Sequence, residues 1–306
     1  MKAPRIWERM QPALSTVFAS VRQGGDEALS PSAIIDVCVS AEAPAIVLDG
    51  ALRPGLFEPL VRALERRGDE LPVLAIEAPC PTATRSGARE PAMTASDRDE
   101  ARAALDAALA TVRRAGELRA PFVVVRLGDV EPAASDWAHA RDQFLRGALD
   151  ESLAQRMLAA REDVAERALD GARRALERLA REAERVGALL LVRNGRRYVD
   201  VPSPRELDRL RSELEGAPIL PVCDVAAAHL TDVMGFVPMA LTLAAYHDAP
   251  LWYWGDACGP VGALAPGRGI VDLAAAHAQV GEQARLAFSP WPGLAVEEVI
   301  ESMARF

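Results

Sequence analysis

The sequence predicts an α/β protein that forms a single (β/α)8 barrel, and three observations support this prediction. The chain has 306 residues, which is long for one domain but usual for an α/β barrel that folds as one unit. Eight short apolar runs alternate with helical patterns, and eight parallel strands joined by right-handed crossovers close into a barrel. A doubly wound open sheet is the alternative, but Gly24-Gly25 is too weak a signal for the phosphate loop that follows its first strand.

The eight apolar runs are predicted to be the barrel strands. Several of them are apolar on both faces, as strands between a packed core and covering helices must be. Most of them end at a charged or polar residue. Because barrel active sites are built at the carboxyl ends of the strands, these end residues are candidate site residues. The predicted strands are residues 15–21, 45–48, 71–76, 122–127, 188–192, 219–223, 251–254 and 284–288.

Helix start signals follow the strands, so strands and helices alternate throughout. Ser30 precedes Pro31, a proline at a first helical position, and Ser203-Pro204 repeats this pattern. Ser96 is predicted to cap a helix whose first turn is acidic. The predicted helices are residues 31–40, 54–67 and 97–118, one from residue 204 onward, one after Asp224, and residues 270–280 and 296–305.

One helical region, from about residue 135 to residue 186, is too long for an ordinary barrel helix. We expect a break near residues 147–152. The first part is then a helical segment inserted after strand four, at about residues 135–165, and the second part is the barrel helix. The insertion could be a lid, a dimer contact or a passive extension. Residues 1–306 are otherwise predicted to form one domain.

Composition and charge exclude several classes of protein. The formal net charge is −9 without a basic block, and the arginine-rich segments alternate with glutamate as on a solvated helix face, which argues against nucleic acid as a partner. No signal peptide is visible, and no apolar run approaches the roughly 20 residues that span a bilayer. The cysteines form no CxxC pair, so we expect a cytoplasmic protein with reduced thiols and no membrane partner.

The stretch at residues 251–273, LWYWGDACGPVGALAPGRGIVDL, joins an apolar run, a turn with an acid, a loop rich in glycine and proline, and a helix start. It resembles the seventh-strand signature of xylose-isomerase-like barrels, the sugar phosphate isomerase/epimerase superfamily. LLLVRN resembles the fifth strand of that family, which ends in Glu-Asn, and PVCD resembles its sixth strand, which ends in Asp. The matching positions in the first stretch are Asp256, Gly267, Gly269 and Asp272.

The resemblance covers roughly residues 15–306 and implies a divalent metal at the C-terminal face of the barrel. In the family, carboxylates and imidazoles from several strand ends converge on the metal, which polarises a carbonyl or hydroxyl group for a proton or hydride shift. Oxygen and nitrogen ligands suit Mn, Mg, Co or Zn. The activity implied is the isomerisation or epimerisation of a sugar.

Most of the metal ligands that the resemblance implies are replaced. The fifth-strand Glu position holds Arg193, the His position after strand six holds Ala227, the seventh-strand His position holds Tyr253, and the eighth-strand Glu position falls on or beside Ser289. Asp224 is kept. We therefore expect no metal. We also expect Arg193 to pair with Asp224 and fill the position of the metal, because neighbouring strands lie about 5 Å apart. Alternatively, Arg193 points into solvent.

The other candidates lie at further strand ends. Glu77 is a candidate base, although such residues also bind loops. Arg126 is suited to holding a phosphate or carboxylate, or else pairs with Asp129 or Glu131. The predicted catalytic residues are Glu77, Asp224 and Asp256, and the predicted ligand-binding residues are Arg126, Arg193, Asn194, Tyr253, Trp254 and Trp291. His229 reaches a metal only if its turn is irregular, and otherwise lies on a helix surface.

These observations predict an isomerase/epimerase-like barrel that binds a small polar, carbohydrate-like molecule at its C-terminal face without the metal. One alternative is an active metal-dependent isomerase or epimerase with a rearranged site, using Mn, Mg or Zn. The other is a non-catalytic barrel that binds a protein partner, with a possible homodimer through the inserted helices. Catalytic activity stays open at this point.

Overall fold

The structure is a computed structural model that describes residues 12–20, 29–50, 52–82, 91–130, 142–143, 146, 151–258, 261–264, 268–290 and 294–304. Eight parallel strands close into a barrel, each beside its predecessor in the chain and the last beside the first. This confirms the predicted (β/α)8 fold. The barrel strands are β1 (Ala13–Ser15), β2 (Ile46–Leu48), β3 (Val73–Ala78), β4 (Phe122–Val125), β5 (Leu189–Arg193), β6 (Ile219–Asp224), β7 (Leu251–Tyr253) and β8 (Arg285–Phe288).

Helices cover the outside of the barrel. Two of the predicted start signals form as expected: Ser30 accepts a hydrogen bond from the backbone of Ala33, and Ser203 forms a reciprocal capping box with Glu206. The α-helices of the described residues are α1 (Val17–Ser20), α2 (Pro31–Ser40), α3 (Pro54–Arg67), α4 (Arg98–Glu117), α5 (Glu151–Val186), α6 (Pro204–Glu213), α7 (Val225–Val233), α8 (Met239–Ala245), α9 (Leu273–His277) and α10 (Val296–Met303). None of these helices combines the length and the apolar composition needed to cross a bilayer.

Three predicted boundaries are wrong. The first strand is Ala13–Ser15, because pairing with both β8 and β2 places Leu14 opposite Phe288 and Ile46, and the chain turns helical at Val17. The helix α4 is capped by Asp97 and not by Ser96, since the Asp97 carboxylate accepts from two backbone amides of the first turn. The helix predicted at residues 270–280 is reduced to α9, whose cap is Asp272.

Five further short elements, four strands and one helix, were not predicted. Strands Asp256–Cys258 and Val261–Leu264 form an antiparallel hairpin within the stretch that the sequence indicated to be a loop. Gly128–Asp129 pairs with Asp200–Val201 beyond the ends of β4 and β5, and α8 follows α7. Elements of two to seven residues are too short to carry a recognisable hydrophobic period.

The long helical region after β4 is only partly described. Helix α5 runs without a break from Glu151 to Val186, so residues 151–165 of the predicted insertion are the first turns of the barrel helix itself. Residues 131–141, 144–145 and 147–150 lie outside the described residues. The inserted segment, the break at its end and a homodimer through it therefore stay predictions.

A buried ion pair fixes the N-terminal half of α5 to the loop after β5. The guanidinium of Arg161 donates to both carboxylate oxygens of Glu206 at 2.6 and 2.7 Å and to the carbonyl of Asp200 at 3.1 Å. Glu206 also accepts from the backbone amide of Ser203 at 2.7 Å. One arginine thus links α5, the Asp200–Val201 strand and the start of α6.

A satellite hydrophobic cluster strengthens the same contact. Tyr198 and Phe236 stack with their ring centroids 4.5 Å apart, and Ala154 and Met157 of α5 pack into the same cluster. Phe236 follows α7 and Tyr198 follows β5, so the cluster packs the loop after α7 and the loop after β5 against α5. The first turns of α5 therefore cover one flank of the C-terminal end of the barrel.

We expect Arg161→Met to lower the free energy of unfolding by about 3–5 kcal/mol, because Glu206 is then buried without its counter-charge. Arg156→Met is the matched control on the same helix. Its guanidinium is exposed and contacts the hydroxyl of Ser152, so its loss is expected to stay within about 0.5 kcal/mol. Urea unfolding of both variants checks this. A loss in Arg161→Met no larger than that in Arg156→Met would show that the pair does not hold α5 in place.

Candidate functional site

A layer of polar side chains lies above the apolar interior of the barrel. Successive side chains of a strand point to opposite faces, so the residue two positions after an interior residue points back toward the barrel axis. At the C-terminal end of each of the eight strands, the position two residues after an interior residue holds a polar side chain. From β1 to β8 these residues are Ser15, Asp49, Glu77, Arg126, Arg193, Asp224, Tyr253 and Ser289.

Arg193 occupies the centre of this layer and joins two strands that are not neighbours. Its Nη1 donates to Glu77 Oε2 at 2.9 Å, and its Nη2 donates to Asp224 Oδ2 at 2.7 Å. The three side chains are 2%, 8% and 5% exposed, respectively. The predicted pairing of Arg193 with Asp224 therefore forms, and the solvent-exposed alternative for Arg193 is wrong.

Tyr253 closes the cluster from the β7 side. The guanidinium carbon of Arg193 lies 4.1 Å from the centre of the Tyr253 ring, a cation–π contact in a buried setting. Asp224 and Tyr253 are direct partners in the β6–β7 register. The Tyr253 hydroxyl, Glu77 Oε1 and Arg193 Nε make no hydrogen bond of good geometry among the described residues, although the Tyr253 hydroxyl lies close enough to the Glu77 carboxylate to interact with it.

Asn194 orients Asp224 through the backbone. Its Oδ1 accepts from the amide of Asp224 at 2.6 Å, and its Nδ2 donates to the carbonyl of Asp224 at 3.0 Å. The Asp224 carboxylate in turn caps α7, with Oδ1 accepting from the amide of Ala227 at 3.0 Å. Both polar groups of the Asn194 amide are thus engaged by protein, so Asn194 is placed as a positioning residue for Asp224.

Charge pairing in the cluster outweighs the cost of burial. Burial alone raises the pKa of Asp224, but the guanidiniums of Arg193 and Arg196 hold that pKa well below its usual range. Burial likewise opposes the charge on Arg193, yet the Glu77 and Asp224 carboxylates raise the pKa of Arg193 above its ordinary value. Burial and the negative charge of Glu77 raise the pKa of the Tyr253 phenol. At neutral pH the cluster therefore contains ionised Arg193 and Asp224 and a protonated tyrosine.

Two further arginines border the cluster and are much more exposed. The Arg126 side chain is 52% exposed, and its nearest carboxylate oxygen is Glu77 Oε2 at 3.9 Å. The Arg196 side chain is 45% exposed and approaches Asp224 Oδ2 at 3.4 Å. Both carboxylate oxygens already accept shorter hydrogen bonds from Arg193.

The side chains of this mouth do not fit a divalent metal. The facing oxygens of Glu77 and Asp224, which would have to turn toward a metal, both bind the guanidinium of Arg193. A divalent cation between them would stand beside a fixed positive charge. Across the described parts of the chain, no three His, Cys, Asp or Glu side chains are grouped as metal ligands.

The structure separates the remaining predicted residues. Trp254 is buried in the cluster between barrel and helices, with His277 edge-on to its ring, because it is one position out of phase with the inward-facing Tyr253. Its predicted place at the mouth is therefore corrected. His229 is buried in α7 and not on a helix surface. Trp291 and the side chain of Asp256 lie outside the described part of the structure.

Sequence reasoning did not single out two charged residues at the mouth. Asp49 is buried at the end of β2, and its charge contributes to raising the pKa of Tyr253. It lies two positions after the interior residue Val47, so strand alternation applied from β2 would have found it. Arg196 lies in the loop after β5, where no periodic pattern indicates the direction of a side chain.

Comparison with solved structures gives the fold a name. A putative xylose isomerase from Rhodospirillum rubrum ATCC 11170 superposes with a TM-score of 0.67 at 15% identity, covering 97% of this chain and 98% of that chain. A D-tagatose 3-epimerase-like protein superposes with a TM-score of 0.66 at 12% identity, covering 96% of this chain and 95% of that chain. The 3-keto-D-glucoside 4-epimerase from E. coli superposes with a TM-score of 0.62 at 13% identity, covering 97% of this chain and 98% of that chain. The chain has the xylose-isomerase-like TIM-barrel fold, whereas no protein-family model and no curated protein matches its sequence.

Replacing Arg193 with alanine is expected to destabilise the protein most at neutral pH. Glu77 and Asp224 then stay buried without their counter-charge, which costs about 3–5 kcal/mol. In the native protein, the lowered pKa of Asp224 stabilises the fold above the unfolded pKa of about 4, and this contribution is lost as the pH falls below that value. In Arg193→Ala, protonation of the carboxylates relieves the unpaired charge.

The difference in stability between native protein and Arg193→Ala should therefore shrink between neutral pH and about pH 3. Thermal unfolding at both pH values measures it. Arg193→Lys serves as the control, since it keeps the charge without the two-pronged geometry and should lose less. An equal loss at both pH values, or no loss at either, would mean that charge pairing with Asp224 does not hold the mouth together.

Proposed function

We propose that this xylose-isomerase-like barrel binds a small polyhydroxylated, carbohydrate-like molecule at its C-terminal mouth, with the Arg193 guanidinium in the place of a divalent metal. The observation that carries this proposal is a concentration of unpartnered polar atoms. Six buried side-chain nitrogen or oxygen atoms of the described residues have no hydrogen-bond partner, and three of them belong to Glu77, Arg193 and Tyr253. The three side chains contact one another.

Unpartnered buried polar atoms favour a ligand of matching polarity. Each such atom costs about 1–3 kcal/mol, which a hydrogen bond from a ligand recovers. Glu77 Oε1 accepts a hydrogen bond, Arg193 Nε donates one, and the Tyr253 hydroxyl does either. A molecule with several hydroxyl groups supplies donors and acceptors together, whereas an aliphatic molecule supplies neither. The superposing D-tagatose 3-epimerase-like protein and 3-keto-D-glucoside 4-epimerase are both named for sugars, which supports the same class of ligand.

Access to these atoms requires movement of side chains, because they have no exposed surface in the structure. Arg126 and Arg196 are the neighbours best placed to move. About half of each side chain is exposed, and their contacts with the Glu77 and Asp224 carboxylates are long, at 3.9 and 3.4 Å. The floor of the site, formed by Glu77, Arg193 and Asp224, stays fixed by its ion pairs.

Glu77 is the carboxylate that we assign to proton exchange with the ligand. Asp224 Oδ1 caps α7, and Asp224 Oδ2 accepts from Arg193 and Arg196, so both of its oxygens are engaged. Glu77 engages one oxygen and leaves Oε1 unpartnered among the described residues. A protonated Tyr253 beside it donates a hydrogen bond to a ligand oxygen. Asp224 accordingly has a positioning role, and Asp256 stays a sequence prediction.

Removal of one hydroxyl tests the site. Tyr253→Phe should weaken the binding of a monosaccharide such as D-fructose about tenfold, the equivalent of one lost hydrogen bond, and leave thermal stability nearly unchanged. Tyr246→Phe is a matched control, because it removes an equally buried and unpartnered hydroxyl from the cluster outside the barrel. Titration calorimetry in the presence of EDTA measures both. Equal effects of the two variants, or no sugar binding by the native protein, would reject the proposal.

A second test addresses the metal. The native protein should gain no thermal stability from Mn²⁺, whereas Arg193→Glu combined with Ser289→Glu should recreate a cluster of carboxylates and bind the ion. A 100-fold excess of Mn²⁺ over its Kd would stabilise that variant by about 2.7 kcal/mol. Ser289→Glu alone is the control, since it keeps the guanidinium. One tightly held divalent ion at the mouth of the native protein would instead support the rearranged metal-dependent isomerase.

A further inference from the structure

Among the described residues, the guanidiniums of Arg126 and Arg196 have no carboxylate oxygen closer than 3.9 and 3.4 Å, respectively. They follow β4 and β5, which are adjacent barrel strands about 5 Å apart. The distances of 3.9 and 3.4 Å, to Glu77 Oε2 and to Asp224 Oδ2, exceed the usual length of about 2.7–2.9 Å for a charge-assisted hydrogen bond. Most of their N–H groups therefore have no carboxylate partner in the described part of the site.

The neighbouring Arg197, in the same loop, is fully paired with carboxylates and provides a comparison for Arg196. Its guanidinium contacts Asp200 at 2.6 Å and Asp129 at 3.0 Å, so two carboxylates neutralise it. The loop after β5 thus presents two consecutive arginines, of which one is tied to a pair of acids and the other reaches the rim of the mouth.

The charges at the mouth are also unevenly distributed. Three carboxylates, Asp49, Glu77 and Asp224, are balanced in number by three guanidiniums. However, the guanidiniums come from Arg126 directly after β4, from β5 and from the loop after β5, whereas Asp49 directly follows β2 on another part of the barrel. Partial burial lowers the pKa of Arg196, and the positive charges of Arg193 and Arg126 lower it further against the opposing effect of Asp224. The three arginines repel one another, and an anion between them would relieve that repulsion.

We infer that the ligand carries an anionic group, a carboxylate or a phosphate, which Arg126 and Arg196 clamp at the rim while its hydroxyl groups contact Glu77 and Tyr253 below. This inference rests on the proposed function and narrows its ligand to sugar acids or sugar phosphates. Guanidinium groups suit both anions, because their parallel N–H bonds match two oxygens of either one.

The test compares three probes of similar size in the presence of EDTA: D-fructose, D-fructose 6-phosphate and D-gluconate. The native protein should bind at least one anionic probe tenfold or more tightly than D-fructose, and this advantage should fall as salt rises. Arg126→Gln and Arg196→Gln should each remove most of the advantage, measured as the ratio of the Kd for D-fructose to the Kd for the anionic probe in the same variant. Arg185→Gln is the matched control, since it removes an exposed arginine at the C-terminal end of α5.

Each outcome has one meaning. Preference for the phosphate or for the carboxylate identifies which anion the rim selects. If D-fructose binds as tightly as both anionic probes, or if the two rim variants weaken all three probes equally, the inference is rejected while the proposed function stands. If no probe binds the native protein, both fail. Thermal unfolding of the variants confirms that a lost anion preference does not come from a lost fold.

Discussion

One guanidinium holds the mouth of this barrel together. Arg193 from β5 bonds Glu77 from β3 and Asp224 from β6, and it stacks on Tyr253 from β7, so a single side chain joins four strand ends. Burial of these charges is tolerable only because each one faces an opposite charge at hydrogen-bond distance. None of the three ionic residues can therefore change alone without leaving a buried charge unpaired. The same ion pairs engage the facing oxygens of Glu77 and Asp224, which would otherwise be free to bind a cation.

The barrel and half of this cluster were predictable from the sequence. Alternating apolar runs and helix start signals indicated eight strands, and adjacency of β5 and β6 predicted the Arg193–Asp224 pair. The participation of Glu77 in that pair was not predictable in the same way. Strand β4 lies between β3 and β5, so the contact depends on side chains that reach across the barrel and not on neighbouring strands. Trp254 was misplaced because the phase of β7 was not followed from Leu251, which points inward, to Tyr253.

Other features depend on distant contacts that no local pattern records. Arg161 lies on an amphipathic helix among many exposed arginines, and only its contact with Glu206, 45 residues later, makes it a buried residue. The hairpin after β7 and the strand pair beyond β4 and β5 are stabilised by pairing between segments that are individually too short to show a period. Local sequence therefore fixes the repeating units of this chain, whereas tertiary packing decides which of its many charged residues are buried.

Asn194 has a consequence for how the site could diversify. Its side-chain amide accepts and donates toward the backbone of Asp224 in the way that another peptide group would, and so adds one rung to the sheet beyond the last residue of β5. This pair of hydrogen bonds marks the end of the sheet at β5, and the residues after it lie in the loop. The residues of β5 before Asn194 belong to the sheet, so their substitution affects the free energy of folding. Arg196, two positions after Asn194, is tied to Asp224 by one long contact of 3.4 Å, so we expect its substitution to cost the scaffold less stability than substitution of Arg193.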